Sequence, residues 1–248
     1  ADIVTTLVEQ PAAQVMLRPE NVGRFDAVLF YDMSGIANAG LVHDDSNDTG
    51  QPTEDYRQSI EALVASGKGI VMLNHATCSW PEWPLWRQIH GSSFMLTEGE
   101  VFGDTVPGSG YAGGHGPLPN PSFTLSPVDA SHPVTAGLEG GLTVADEIYI
   151  KSNNFEANVL PLMRSDYEYV SSNFTAPPMA PAEQQEGWTH PGGSNLVVWA
   201  NAAQNSPVVA SDIGDSPGAF ENAGFRRLLK NALQWVASDE ARQWARQQ

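Results

Sequence analysis

One stretch of this chain, residues 69–83, constrains the fold more than any other. It begins with five apolar or small residues, which predict a buried strand. Asn74 and His75 follow at the carboxyl end of that strand, and Thr77 or Ser79 can cap the helix that comes next. Open α/β sheets build their sites at such strand ends. The sequence therefore predicts a polar site, with an imidazole, at the carboxyl edge of a sheet.

The composition bounds the size and the partners of the protein. With 248 residues, 41% hydrophobic and 17% charged, it is ordinary for a globular protein, and we expect one domain over residues 1–248. The 12 basic and 29 acidic residues give a formal charge of -17, which repels phosphate backbones and anionic lipids. We therefore expect neither nucleic acid nor a membrane as a partner, and a homo-oligomer remains open.

Cysteine usage and hydropathy bear on the compartment. A single cysteine, Cys78, excludes an internal disulfide framework and fits a reducing environment. No apolar stretch reaches the roughly 18 residues that indicate a transmembrane helix. These features favour a cytoplasmic protein, and a leader removed before residue 1 remains open.

Hydrophobic periodicity predicts an α/β fold. The predicted helices cover residues 53–67, 83–89 and 219–244, the last with a break near Ser238. The predicted strands cover residues 2–8, 27–32, 69–74, 142–150, 159–163, 195–200 and 207–212. Strands and helices alternate in the first half, which favours right-handed parallel crossovers, and the later strands follow one another without helices. We expect a three-layer α/β/α sandwich whose sheet is mostly parallel with an antiparallel extension.

Two long segments rich in glycine and proline, residues 94–127 and 174–193, are predicted to be loops. Loops of this length in a compact domain are commonly functional lids, so we expect both to pack over the site and to contribute His115 or His190. Residues 108–113 match Gly-x-Gly-x-x-Gly, but no strand precedes them and no helix can follow. We interpret this motif as a flexible loop rather than a dinucleotide site.

Five segments match one family pattern in the order in which they occur. They are residues 25–32, Leu73-Asn74-His75-Ala76 with Trp80-Pro81-Glu82, residues 132–138 (His-Pro-Val-Thr-Ala-Gly-Leu), Asp146-Glu147-Ile148-Tyr149, and residues 225–229 with 234–237. In these segments the chain resembles the ThuA-like (trehalose-utilisation) family, a branch of the class I glutamine amidotransferase-like superfamily. The resemblance implies a flavodoxin-like sheet and a context of sugar utilisation. The resemblance leads us to expect that the family's opening strand and helix, which would precede Ala1, have no counterpart in residues 1–248.

The resemblance also bears on the nucleophile. In the amidotransferase superfamily the turn after the central strand holds a cysteine, but here that turn reads Asn74-His75-Ala76. Cys78 comes three residues after His75, where a helix start could lower its pKa, although a lone cysteine beside aromatic residues is more often buried filler. We therefore expect no glutaminase activity.

His75 is the strongest candidate for chemistry. An imidazole at a strand end can act as a general acid or base near neutral pH, or as a metal ligand, and the structural alternative is a hydrogen bond within the loop. Tyr31 and Asp32 end the neighbouring predicted strand and could reach the same site. Asp32 could instead cap the turn at Ser34 and Gly35.

Further candidates lie on the later strands and in the aromatic residues. Alternate residues of a strand share a face, so Glu147 and Tyr149 point the same way and Asp146 does not. Glu147 is then either an acid, base or ligand at the site or one member of a surface pair. Trp80 and Trp83, close to His75, could stack on a sugar ring, and the alternative is packing.

These observations favour a protein that acts on a small sugar or keto-sugar derivative by acid/base chemistry. We assign His75, Asp32 and Glu147 to catalysis. Substrate binding is assigned to Tyr31, Asn74, Trp80, Trp83, His115, Tyr149 and His190. The reaction could be isomerisation, elimination or hydrolysis, and no redox cofactor is expected. Two alternatives remain: a noncatalytic binding module that kept the pocket, and a metal-dependent hydrolase with a divalent ion assembled from distant segments.

Overall fold

The computed structural model describes residues 3–35, 52–81, 83–114 and 116–248. In those ranges the helices are α1 (Ala12–Met16), α2 (Pro19–Val22), α3 (Glu54–Ser66), α4 (Pro84–His90), α5 (Ala182–Gln185), α6 (Pro217–Glu221), α7 (Ala223–Val236) and α8 (Asp239–Ala245). The strands are β1 (Ala27–Phe30), β2 (Gly69–Leu73), β3 (Gly99–Val101), β4 (Asp104–Val106), β5 (Gly110–Ala112), β6 (Ser122–Pro127), β7 (Leu142–Ala145), β8 (Ile148–Ile150), β9 (Leu160–Ser165), β10 (Leu196–Ala203) and β11 (Ser206–Ser211).

The main sheet has seven strands in the order β1-β2-β11-β10-β9-β6-β7. β2 pairs in parallel with β1 on one side and with β11 on the other. The remaining neighbours, from β11 through β10, β9 and β6 to β7, pair antiparallel. The sheet is therefore mixed, and its parallel part is limited to three strands, which corrects the expectation of a mostly parallel sheet. That parallel part includes the strand that precedes His75.

Strand β2 shows how the sheet is covered on both faces. Its five residues are all buried. Ile70 and Met72 join a core formed with side chains of α3 and α4, whereas Val71 and Leu73 join a second core that includes side chains of α7. Successive side chains of a strand point to opposite faces, and parallel strands with helices on each face read as continuous apolar runs. The uninterrupted apolar stretch in the sequence has this physical cause.

The helix boundaries follow the capping signals in the sequence. The Thr53 hydroxyl accepts the amide hydrogen of Tyr56 at 3.3 Å and caps the start of α3, and Gly67, whose φ of 78° suits glycine, caps its end. Near the C-terminus, the Ser238 hydroxyl accepts the amide hydrogen of Ala241 and starts α8. The predicted helix over residues 53–67 and the predicted break at Ser238 are confirmed.

Four sequence expectations are corrected. A strand was expected over residues 2–8, but the described part of it, residues 3–8, has no regular structure and leads into α1 and α2. The segment 142–150 forms two strands: β7 pairs with β6 in the main sheet, whereas β8 pairs with β5 in a separate two-stranded sheet. The long segment 94–127 contains the β3–β4 hairpin, β5 and β6. Gly110–Ala112 of the Gly-x-Gly-x-x-Gly motif pairs with β8, so that part of the motif is strand and not flexible loop.

Residues 174–193 contain no β-strand and only the short helix α5. Among the described residues, none of the helices combines the length and apolar character that crossing a membrane requires.

Candidate functional site

His75 lies in a short 3₁₀ turn, Asn74–Thr77, that begins where β2 ends. Its Nε2 atom is 3.1 Å from Asp215 Oδ1 and 3.7 Å from Glu147 Oε2. The imidazole therefore faces two carboxylates at once. Its side chain is 23% exposed, compared with 13% for Asp215 and 7% for Glu147, so the three groups are partly shielded but reachable from solvent. We call His75, Glu147 and Asp215 the edge cluster.

Sheet topology explains why these groups meet. β2 and β11 are parallel and in register, with Leu73 opposite Ser211, so their carboxyl ends lie at the same edge. Asp215 comes four positions after Ser211 and reaches that edge with the loop that follows β11. The sequence reasoning missed Asp215 because it assigned this strand to the antiparallel extension. Pairing β11 with β2 would have pointed to the acidic residues that follow it.

Asp146 holds the loop that carries Asp215. Its carboxylate accepts amide hydrogens from Gly214 at 2.6 Å, Asp215 at 3.3 Å and Ser216 at 2.8 Å. These three bonds fix the backbone on both sides of Asp215. Since Asp146 is fully buried and satisfied in this way, it anchors the loop rather than facing the edge cluster.

Glu147 and Tyr149 point to the same side, as alternate strand positions predict. The Tyr149 hydroxyl donates to Glu147 Oε2 at 2.8 Å. Glu147 is buried, so the surface-pair interpretation is wrong. Burial raises the pKa of the Glu147 carboxyl, while the Tyr149 hydrogen bond and the nearby His75 act in the opposite direction. A carboxyl with a raised pKa can hold and release a proton at milder pH than an exposed one.

Tyr31 forms one wall of the site. Its ring centroid is 5.9 Å from that of His75, and its hydroxyl donates to the carbonyl of Asp215 at 3.4 Å. Burial and the charges of Asp215, Asp146 and Glu147 raise the pKa of Tyr31 to about 12. The phenol therefore stays protonated at neutral pH and remains a hydrogen-bond donor.

Asn74 and Cys78 occupy structural positions. Asn74 is fully buried at a φ of 43°, and its Nδ2 donates to the carbonyl of Asp212 at 2.8 Å. Cys78 is buried in a small aromatic cluster with Phe94, Tyr111 and Tyr149. Burial raises the pKa of the Cys78 thiol well above its usual value, and the charge of Glu147 adds to this effect. Cys78 therefore cannot serve as an activated nucleophile in this arrangement.

A buried ion pair lies beneath the edge, and the sequence reasoning missed both partners. Lys151 Nζ binds Asp212 Oδ2, and both side chains are essentially inaccessible. The ammonium also lies 4.8 Å from the Trp199 ring centroid and 5.4 Å from that of Phe155. Lys151 directly follows β8 and Asp212 directly follows β11. The pair thus joins the two chain segments that carry Glu147 and Asp215.

Several predicted site residues lie elsewhere. Asp32 Oδ2 accepts from Ser34 Oγ at 2.9 Å and from Gln10 Nε2 at 3.0 Å, which matches the turn-capping alternative. Trp80 and Trp83 are buried in the core that contains α3 and α4, so the structure favours packing over contact with a ligand.

Of the two loop histidines only His190 belongs to the described residues, and it gives no support for a lid. His190 is buried, with its amide bound to Ser171 Oγ and its ring 6.3 Å from that of Trp188. His115 lies outside the described residues. The residue before it, Gly114, approaches Glu147 so closely that a Cβ there would overlap Glu147 Oε1. The glycine-rich segment therefore borders the edge cluster through its backbone.

Comparison with known proteins identifies similar folds. A family model described as ThuA, trehalose utilisation, matches residues 2–236. A ThuA-like protein from Parabacteroides merdae is 19% identical with a TM-score of 0.52, over 92% of this chain and 84% of that one. Another from Bacteroides uniformis is 16% identical with a TM-score of 0.58, over 91% and 75%. A cytoplasmic protein from Salmonella typhimurium is 10% identical with a TM-score of 0.51, over 88% and 74%. A comparison with curated protein sequences finds no significant match.

Proposed function

Because the chain belongs to the ThuA (trehalose utilisation) family, which indicates a carbohydrate-related role, we propose that it acts on a small sugar or keto-sugar derivative. The edge cluster carries out acid/base chemistry there, and no cysteine nucleophile takes part. The observation that carries this proposal is the position of His75, whose Nε2 lies between Asp215 and Glu147 at a solvent-reachable strand end. An imidazole beside carboxylates can take up and release a proton, which is what general acid/base catalysis requires.

The chemistry follows from the acidity of a keto sugar. A C–H bond next to the carbonyl loses its proton to a base, and the electron pair moves onto the carbonyl oxygen as an enolate. Return of the proton to a neighbouring carbon gives isomerisation, and expulsion of a leaving group gives elimination. His75 and Glu147 exchange the proton, since burial has raised the pKa of Glu147 toward the working range.

The surrounding groups orient the ligand and the cluster. Tyr31 is 42% exposed and keeps its phenolic proton, so it can donate to a sugar hydroxyl or carbonyl oxygen. Tyr149 orients Glu147 through its hydrogen bond, and Asp215 orients His75 through its contact with Nε2. The net charge of -17 supports a neutral small molecule rather than a polyanion as the partner.

Proton exchange with solvent provides the test. The protein is incubated in D₂O with trehalose, with glucose and with a keto derivative of each, and ¹H NMR follows loss of the signals next to the carbonyl. We expect exchange or conversion of a keto derivative by the unchanged protein and loss of at least 100-fold in rate for His75→Ala, in line with the usual contribution of general acid/base catalysis.

His75→Gln keeps a polar side chain and guards against a folding defect, and thermal unfolding is measured for every variant. The matched control is His132→Ala. His132 caps a turn by accepting the amide hydrogen of Val134, and its ring lies 4.9 Å from that of Trp235, so its loss should reduce stability but not turnover. Equal loss of rate in His132→Ala and His75→Ala would refute the assignment. Ligand binding that depends on His75 without any turnover would favour the binding module.

A further inference from the structure

The edge cluster presents three metal-ligand atoms that converge. His75, Glu147 and Asp215 each offer one such atom, and these atoms all lie within 4.8 Å of one another. One nitrogen and two carboxylate oxygens suit first-row divalent ions, and three protein ligands leave positions open for water or substrate. The ligands come from three separate chain segments, so no short sequence motif could have indicated them.

The charge of the cluster also favours a cation. Two carboxyl groups and one imidazole converge at this partly shielded position, so the cluster holds more acidic than basic groups. The nearby buried ammonium of Lys151 is already paired with Asp212. A bound divalent ion would balance both carboxylates and take Nε2 as a neutral ligand, because metal ligands must be deprotonated.

Hydrogen bonds from outside the cluster would orient the ligands. The Tyr149 hydroxyl binds Glu147 Oε2, and the Tyr31 hydroxyl binds the carbonyl of Asp215. Asp146 fixes the backbone around Asp215 through three amide bonds. Supporting contacts of this kind are typical of metal sites, where they set the direction of each ligand.

We propose that the edge cluster binds one divalent transition-metal ion, such as Zn²⁺ or Mn²⁺, through His75 Nε2 and one carboxylate oxygen each from Glu147 and Asp215. The open positions of the ion take the carbonyl or hydroxyl oxygens of the substrate. Only this second part rests on the proposed function. With an ion in place, Nε2 of His75 would be a ligand and could not also exchange a proton; the ion would polarise the substrate carbonyl, and hydroxide formed from a bound water molecule would take the proton in place of His75.

Metal binding is measured without reference to activity. Protein freed of metal by a chelator and dialysis is titrated with ZnCl₂ by calorimetry and with CoCl₂ by visible absorption, which reports the coordination of the ion. We expect one ion per chain. His75→Ala and Asp215→Asn should each weaken the affinity at least tenfold, and Tyr149→Phe should weaken it by about tenfold through loss of the orienting bond.

Asp129→Asn and His132→Ala are the controls, because both residues lie outside the edge cluster and should leave the affinity unchanged. Absence of a stoichiometric site, or equal binding by all variants, would overturn the inference. Turnover that survives chelation would overturn the role of the ion in the reaction and would leave the proposed function intact. Stoichiometric binding that depends on the cluster, without turnover of any sugar tested, would support the metal site and contradict the proposed function.

Discussion

Removing one partner of the buried pair beneath the edge should be strongly destabilising. Lys151→Met leaves Asp212 with no positive partner in a fully buried position and also removes the contacts with the Trp199 and Phe155 rings. Breaking a buried ion pair from one side costs about 3–5 kcal/mol. For a protein of this size, each kcal/mol lowers the melting temperature by roughly 2–4 °C, so we expect a fall of about 6–20 °C.

A double-mutant cycle separates the pair from simple packing. Asp212→Leu alone leaves the ammonium buried without its carboxylate, and we expect a loss of similar size. Lys151→Met with Asp212→Leu replaces both charges by apolar groups, which is often close to neutral for a buried pair. The double variant should therefore be more stable than either single variant, as measured by urea unfolding monitored through tryptophan fluorescence.

The control for this cycle is an exposed ion pair. Arg18 NH2 lies 3.4 Å from Asp55 Oδ2, with side chains 44% and 79% exposed, so Arg18→Met should change the unfolding midpoint only slightly. Additive losses from Lys151→Met and Asp212→Leu would refute the reasoning, since they would show that the two charges do not depend on each other.

Three further predictions concern the groups around the edge. Cys78→Ser should leave turnover unchanged, and iodoacetamide should modify the thiol only when the protein unfolds, because burial raises its pKa and blocks access; rapid alkylation with loss of activity would contradict this. Burial raises the pKa of the Asp212 carboxyl from 3.8 to about 6, so the folded protein binds this proton more tightly than the unfolded chain does. The stabilisation that comes from this protonation is complete below pH 3.8 and is lost as pH rises through about 6. The unfolding free energy of the unchanged protein relative to Asp212→Asn should accordingly fall between about pH 4 and pH 6, and a constant difference would refute the shift. Gly114→Ala should displace the Glu147 side chain and reduce turnover at least tenfold. The control is Gly187→Ala, which has a similar positive φ but open space around the added methyl group, and it should reduce stability by about 1–2 kcal/mol without changing turnover. Equal effects of the two variants on turnover would count against a role for Glu147.

Much of the fold could be predicted from the sequence, because the positions of strands and helices depend on residue patterns within each segment. The run Gly69–Leu73 is apolar throughout since it is covered on both faces, and α3 begins at Thr53 and ends at Gly67 for reasons that are visible in the residue types. The resemblance to the family rests on the order in which its matching segments occur along the chain. The apolar run also predicted correctly that His75 lies at the end of a strand.

The rest depends on pairing between distant segments. The sequence does not show that β11 returns to lie beside β2, and without that pairing Asp215 cannot be placed next to His75. Asp32 follows a strand that ends at the predicted edge, but its carboxylate accepts hydrogen bonds from Ser34 and Gln10. The sequence does not show these two partners. Lys151 was overlooked because lysine is rarely buried, and only the fold shows the carboxylate that pairs with it.

The most direct test of the account is a crystal structure of the protein grown with a keto derivative of trehalose. We expect the ligand at the carboxyl edge of β2 and β11, with at least one of its oxygen atoms within hydrogen-bond distance, about 3.2 Å, of the edge cluster or coordinated to an ion held by it. A ligand bound elsewhere, with His75, Glu147 and Asp215 in contact only with water, would contradict the central claim.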